Sequence, residues 1–157
     1  MKRLSLLAIT LVHISAAPAF AAMTAKQIVE KEIVVRAANG SETVTRQPAD
    51  KVTPGETVVY SIRYKNDSAE AVSDIVLVMP VPKEVAYVEG SVSGNDANVA
   101  FSADGGKTYV ARGRLTIEED GASRPARGDE ITHIRWTLST PVPSKSEGAV
   151  SYKAVLR

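Results

Sequence analysis

The chain contains no cysteine. That single absence removes disulfides, thiolate nucleophiles, cysteine-ligated zinc and a lipid-modified N-terminal cysteine. Histidine is nearly as scarce, with two in 157 residues, His13 and His133, too few for a structural zinc site. A basic excess is also missing. Nineteen Lys and Arg stand against 18 Asp and Glu, whereas nucleic-acid binding shows a basic footprint. No apolar run reaches the roughly 20 residues that a membrane helix needs. No internal repeat is visible, and no convincing amphipathic helix.

What is present begins with a leader. Lys2 and Arg3 are followed by an apolar run from Leu4 to Ile14 and a small-residue region ending in Ala19-Phe20-Ala21, an A-x-A cleavage pattern. This predicts a signal peptide over residues 1–21, cleaved after Ala21, and a periplasmic or secreted destination. The leader holds two basic residues and no acidic one, leaving seventeen basic against eighteen acidic residues. Residues 22–157 are enough for one domain, which at this size buries roughly two-thirds of its unfolded surface.

The organising stretch is Val52 to Asn66, VTPGETVVYSIRYKN. Pro54-Gly55 makes a turn, because proline fixes φ and glycine tolerates positive φ. Val58, Tyr60, Ile62 and Tyr64 then fall on every second position, the period of a half-buried strand. Similar units recur. Thr132, Ile134, Trp136 and Leu138 alternate with polar residues, and Val150, Tyr152, Ala154 and Leu156 alternate with Ser151, Lys153 and Val155. These last two strands are expected to pair as neighbours and to put Trp136 and Tyr152 into one core. Ile75 to Met79 is a continuous apolar run, read as a strand covered on both sides. Gln27 to Arg36 reads as a strand, with a helix over Thr24 to Lys31 as the competing reading. Residues 22–26 read as a loose terminus, and Lys31 between two glutamates as an edge. Asn39-Gly40 is a hairpin turn with Glu42 to Gln47 returning. Glu118 to Asp129 reads as a long exposed loop. The prediction is an all-β, antiparallel β-sandwich of about seven to nine strands.

The 52–66 segment resembles the opening of a bacterial repeat family, the "domain of unknown function 11". Its pattern V-x-P-G-[DE]-x-[VL]-x-[YF]-x-[IV]-x-[VY]-x-N is matched by Val52, Pro54, Gly55, Glu56, Val58, Tyr60, Ile62, Tyr64 and Asn66. Val76 to Pro82 and Val85 to Ser91 look like its following segments, although Leu77-Val78-Met79 lacks the polar residue expected before the proline. The resemblance implies an immunoglobulin-like sandwich of surface and secreted proteins, without an enzymatic role and here in a single copy.

Three motifs invite chemistry. Ser102, Asp104, Gly106 and Thr108, followed by Tyr109, match the Asp-box pattern of sialidase-like propellers. A propeller needs several four-stranded blades, so a structural turn is expected, in which Asp104 accepts backbone N–H groups. A calcium site pairing Asp104 with Asp96 lacks the ligand order of an EF-hand. Arg127-Gly128-Asp129 is an integrin-type tripeptide on the exposed loop, a candidate binding motif. His133 alternates to the face opposite Trp136, with no neighbouring carboxylate in the sequence to orient it.

The expected function is a non-catalytic, exported, immunoglobulin-like module of the cell envelope acting by protein–protein contact, with no cofactor and no metal. Another envelope or surface protein is the expected partner, met through a sheet edge or the 118–129 loop. A carbohydrate or small-ligand module using Gly90–Asn98 and Asp104–Lys107 is the first alternative, and an adhesive module using Arg127, Gly128 and Asp129 the second. An enzyme pairing Glu118 or Glu119 with Asp129 needs two carboxylates at a set separation in a cleft. Clustered loop acids rarely meet that demand.

Overall fold

The computed structural model describes residues 23–94 and 96–157; the predicted leader and its cleavage site lie outside the described residues. Among the described residues there are ten strands and no α-helix. They are β1 (Met23–Arg36), β2 (Glu42–Pro48), β3 (Thr57–Asn66), β4 (Val76–Pro80), β5 (Val85–Tyr87), β6 (Ala97–Ser102), β7 (Thr116–Glu119), β8 (Ala122–Pro125), β9 (His133–Leu138) and β10 (Glu147–Leu156). All pairings are antiparallel. One sheet has the order β2-β1-β3-β10-β5, a second β4-β9-β6, and β7 pairs with β8 alone.

β3 closes the sandwich with the face its alternation predicted, but its other face is not wet throughout, since Val59 and Ser61 are buried as well. Ile62 enters the core with Tyr60 and Tyr64 packed beside it, and Val150, Tyr152 and Ala154 join from β10. Leu77, Met79, Phe101, Ile134, Trp136 and Leu138 fill the same core from the second sheet. Burying each large side chain is worth about 1.5–3 kcal/mol, so this filling carries most of the fold's stability. Polar tips are satisfied across it. The Tyr152 hydroxyl donates to the Pro80 carbonyl at 2.8 Å and the Trp136 indole N–H to the Ser93 carbonyl at 3.2 Å. Tyr152 also stacks on Tyr60 with centroids 5.0 Å apart, and burial pushes its phenol far above the ordinary range.

Several expectations are corrected. The strand count is ten rather than seven to nine, chiefly because the segment read as a long loop folds into the β7/β8 hairpin. Asp120 and Gly121 both take positive φ, 52° and 79°, the requirement of a two-residue type I′ turn. The two last strands are not neighbours: β9 lies between β4 and β6, and β10 between β3 and β5. Trp136 and Tyr152 therefore belong to opposite sheets. Alternation reveals which face of a strand is buried but says nothing about which strand lies beside it.

Ile75 to Met79 is not covered on both sides. β4 is an edge strand whose Val76 and Val78 are 52% and 43% exposed while Leu77 and Met79 are buried. Residues 23–26 are not loose, since Met23 to Lys31 pairs with Asn66 to Val58. Lys31 is not at an edge either, for it has partners on both sides, Val58 and Gln47. That position is a strand, which disposes of the competing helix.

One residue of the family-like motif is a staple. Asn66 ends β3 fully buried. Its amide nitrogen donates to the carbonyls of Glu70, Val142 and Pro143 at 2.8, 3.0 and 3.1 Å. Its side-chain oxygen accepts from the Ser68 N–H and hydroxyl at 2.9 and 2.6 Å. The loop after β3 is thereby tied to the segment before β10. A close approach in the same region requires Gly148, because a Cβ there would collide with the Tyr64 ring.

Candidate functional site

The Asp-box turn follows β6 and closes on itself. Ser102 is fully buried at the end of that strand, and its hydroxyl donates to the Asp104 carboxylate at 2.7 Å while accepting the Gly106 N–H at 2.9 Å. The Asp104 carboxylate also accepts the Lys107 N–H at 3.0 Å, the Thr108 N–H at 3.0 and 3.1 Å, and the Thr108 hydroxyl at 2.7 Å. These donors, led by the Thr108 N–H, hold the carboxyl far below the usual carboxylate range. Both oxygens of Asp104 are occupied by the turn itself.

That turn roofs the outer face of β9. The Arg135 guanidinium lies 4.4 Å from the Tyr109 ring centroid, a cation–π distance. A Cβ on Gly106 would stand 3.4 Å from the His133 ring. His133 Nδ1 and Arg135 Nε are buried there without a hydrogen-bond partner. His133 is thus a half-buried residue under a loop rather than a free strand-surface histidine. Sequence reasoning missed this because the covering residues come from a turn well upstream, on a different strand end.

The tripeptide Arg127-Gly128-Asp129 sits in the turn after β8. The Gly128 carbonyl accepts the Tyr87 N–H at 3.0 Å, and a Cβ on Gly128 would collide with the Tyr87 carbonyl oxygen. Asp129 pairs with Arg157 at 3.2 Å and with Arg127 at 3.6 Å. Arg127 also reaches Glu130 at 2.8 Å. Glu130 accepts from both terminal guanidinium nitrogens of Arg124, at 2.8 and 2.6 Å, and from the Arg127 N–H at 2.7 Å. The Arg124 bonds come first in lowering its carboxyl to about 2. Glu119 is held by Arg124 from the other side. Of the carboxylates weighed for an enzyme, Glu119 and Asp129 are thus each bound to an arginine. Among the described residues, no three His, Asp or Glu side chains gather as a metal set would.

The surface with unspent bonding capacity is elsewhere. Beyond Lys31 the strand β1 leaves β3 and runs on with β2 alone, as a two-stranded arm. Glu30 to Arg36 pairs with Pro48 to Glu42, and every residue of β2 is exposed. The arm closes through a Gly40 N–H to Ala37 carbonyl bond at 2.9 Å with Gly40 at φ 83°, a type I turn followed by a left-handed glycine. Val34, Val35 and Val44 are 59%, 50% and 56% exposed on it. Flanking charges pair across the arm, Arg36 with Glu42 and Arg46 with Glu32, the latter at 3.6 Å. Glu32 also binds Lys153 at 2.8 Å, which anchors the base of the arm to β10.

The phase of the arm's ladder fixes what its far side offers. The Ala49 N–H donates to Val29 and the Ala37 N–H to Ser41, so the odd-numbered positions of β2 bond to β1. Glu42, Val44 and Arg46 therefore aim their N–H and C=O groups outward, and Pro48 has no N–H to aim. The sequence carried the hairpin signal in Asn39-Gly40 but not the fact that β2 would have no second neighbour among the described residues.

The fold class is thus an antiparallel β-sandwich with a projecting two-stranded arm. Comparison with protein-family models, with curated proteins and with solved structures returns no match.

Proposed function

We propose that the chain is a non-catalytic, exported, immunoglobulin-like module of the cell envelope, of the "domain of unknown function 11" kind, that acts by protein–protein contact. The observation that carries the reading is the edge of β2, which among the described residues has no partner strand besides β1. An unpaired strand with outward N–H and C=O groups is a template for strand addition. Proteins commonly blunt such edges; this one extends its edge away from the body on an arm with three exposed valines. The Asp104 turn, by contrast, spends its polar groups internally, which leaves less there for a sugar to bind.

The test is cross-linked capture from an envelope fraction with residues 22–157 as bait, compared with a Val44→Pro bait. The Val44 N–H faces away from β1, so proline removes an outward donor while sparing the β1/β2 rungs. Capture that the substitution abolishes supports the reading. Equal capture by both baits, or no capture by a native bait that is itself monomeric, refutes it.

A further inference from the structure

We propose that the partner of the β2 edge is a second copy of this chain, the two arms joining about a two-fold axis that passes beside Val44. This rests on the reading of the arm as a contact surface and names its occupant.

The edge is complementary to itself. Antiparallel pairing of β2 with its own copy about Val44 sets Val44 opposite Val44, Glu42 opposite Arg46, and Arg46 opposite Glu42. Each position of this register is an outward-facing one, so the three pairs are hydrogen-bonded rungs that exchange two bonds apiece. The next outward position is Pro48, whose missing N–H ends the ladder. Moving the axis to Thr45 would still oppose outward-facing positions, but it sets Val44 against Arg46 and Glu42 against the donorless Pro48. Moving it to Thr43 sets Val44 against Glu42. An axis between two residues would oppose an outward group with an inward-bonded one. Only the Val44 register matches charge, apolar surface and hydrogen bonding together.

The side chains agree with the backbone. Glu32, Val34 and Arg36 of β1 lie opposite Arg46, Val44 and Glu42 of β2, all six on one face of the arm. In the joined four-stranded sheet the outer row reads Arg36, Glu42, then Arg46 and Glu32 of the second copy, so that every β2 charge has an opposite charge on both sides. The symmetry-related row does the same in reverse. Between them Val34, Val44 and their copies form a continuous apolar row, in which Val44, 56% exposed in the single chain, gains its own copy as a neighbour. On the other face Thr43 meets Thr45 of the second copy, a favourable cross-strand pair. An isologous interface requires a patch complementary to itself, and this seven-residue strand satisfies that requirement. Three rungs make a small interface, below the standard size, so the dimer is expected to dissociate at roughly micromolar concentration.

The test is sedimentation velocity of residues 22–157 between about 1 and 500 μM, for the native chain, Glu42→Arg, Arg46→Glu, and an equimolar mixture of the two variants. Each variant alone sets like charges opposite each other in two rungs, and is expected to raise the dimer dissociation constant at least tenfold. The mixture sets the two arginines of the Glu42→Arg edge against the two glutamates of the Arg46→Glu edge, and is expected to recover a dimer of near-native affinity. Amide exchange supplies a second readout: the Glu42, Val44 and Arg46 amides gain protection with concentration, while Thr43 and Thr45 do not change. A native chain that stays monomeric while still capturing an envelope protein through its Val44-sensitive edge overturns the second copy and leaves the contact reading standing. A monomer that captures nothing overturns both. A dimer indifferent to both substitutions, or not recovered by mixing, also overturns the proposal.

Discussion

Replacing Asn66 with aspartate changes almost nothing in shape and reverses the chemistry of one end. The amide nitrogen points at three carbonyl oxygens, those of Glu70, Val142 and Pro143. Aspartate would aim a carboxylate oxygen at the same three acceptors, while its other oxygen keeps the Ser68 contacts. Leaving buried polar groups unmatched costs about 1–3 kcal/mol each, and here the introduced charge is also desolvated and repelled. About 3–4 kcal/mol is expected at pH 8, a large part of the roughly 5–15 kcal/mol typical of a domain. Asn66→Ala, which only deletes bonds, is expected to cost about 2–3 kcal/mol. The two differ in pH dependence. Burial and facing carbonyls raise the folded-state pKa of the new carboxyl above its unfolded value of about 3.9. The aspartate penalty is therefore full above the folded pKa and shrinks as pH falls towards the unfolded one, as a protonated carboxyl regains a donor. Urea unfolding of both variants and the native chain from pH 8 to pH 4 measures this. An Asn66→Asp variant within about 1 kcal/mol of native at pH 8, or a gap to the alanine variant that ignores pH, would refute the account of Asn66 as a donor-dependent staple.

Glu130→Gln is expected to remove a component of acid sensitivity. The native carboxyl is depressed from 4.5 to about 2, so its stabilisation is present above about 4.5 and is lost as pH falls towards 2; melting temperatures of the two forms should converge over that window. Gly148→Ala is expected to cost about 1–2 kcal/mol by driving the Tyr64 ring from its place, and to cost less in a Tyr64→Leu background, as a double-mutant cycle would measure. Asp104→Ala is expected to leave the fold intact and to speed exchange of the Lys107 and Thr108 amides at least tenfold, since those N–H groups have the carboxylate as their acceptor.

What the sequence disclosed was local. The alternation of Val58, Tyr60, Ile62 and Tyr64 revealed a buried face because side-chain direction repeats every two residues. The Asp104 turn was legible because its bonds to Ser102, Lys107 and Thr108 all lie within one short segment. Asp120-Gly121 was equally local and was missed, its type I′ signal submerged in a polar stretch with a short apolar flank. The placement of β9 and β10 in different sheets was not available from either strand, since both have a buried face and only the competition among all the strands decides partners. The same limit concealed the candidate site. Glu42 to Pro48 looks like an ordinary returning strand, and its importance comes from its place at the end of the sheet, with no other strand of the described residues beyond it.

The one tryptophan of the chain is sealed between the sheets, and the arm carries no aromatic residue at all. Indole emission consequently watches the body of the molecule and is blind to the arm, whereas backbone spectroscopy sees both. Any gap between those two signals during denaturation would measure how far the arm frays before the sandwich opens, with no label added.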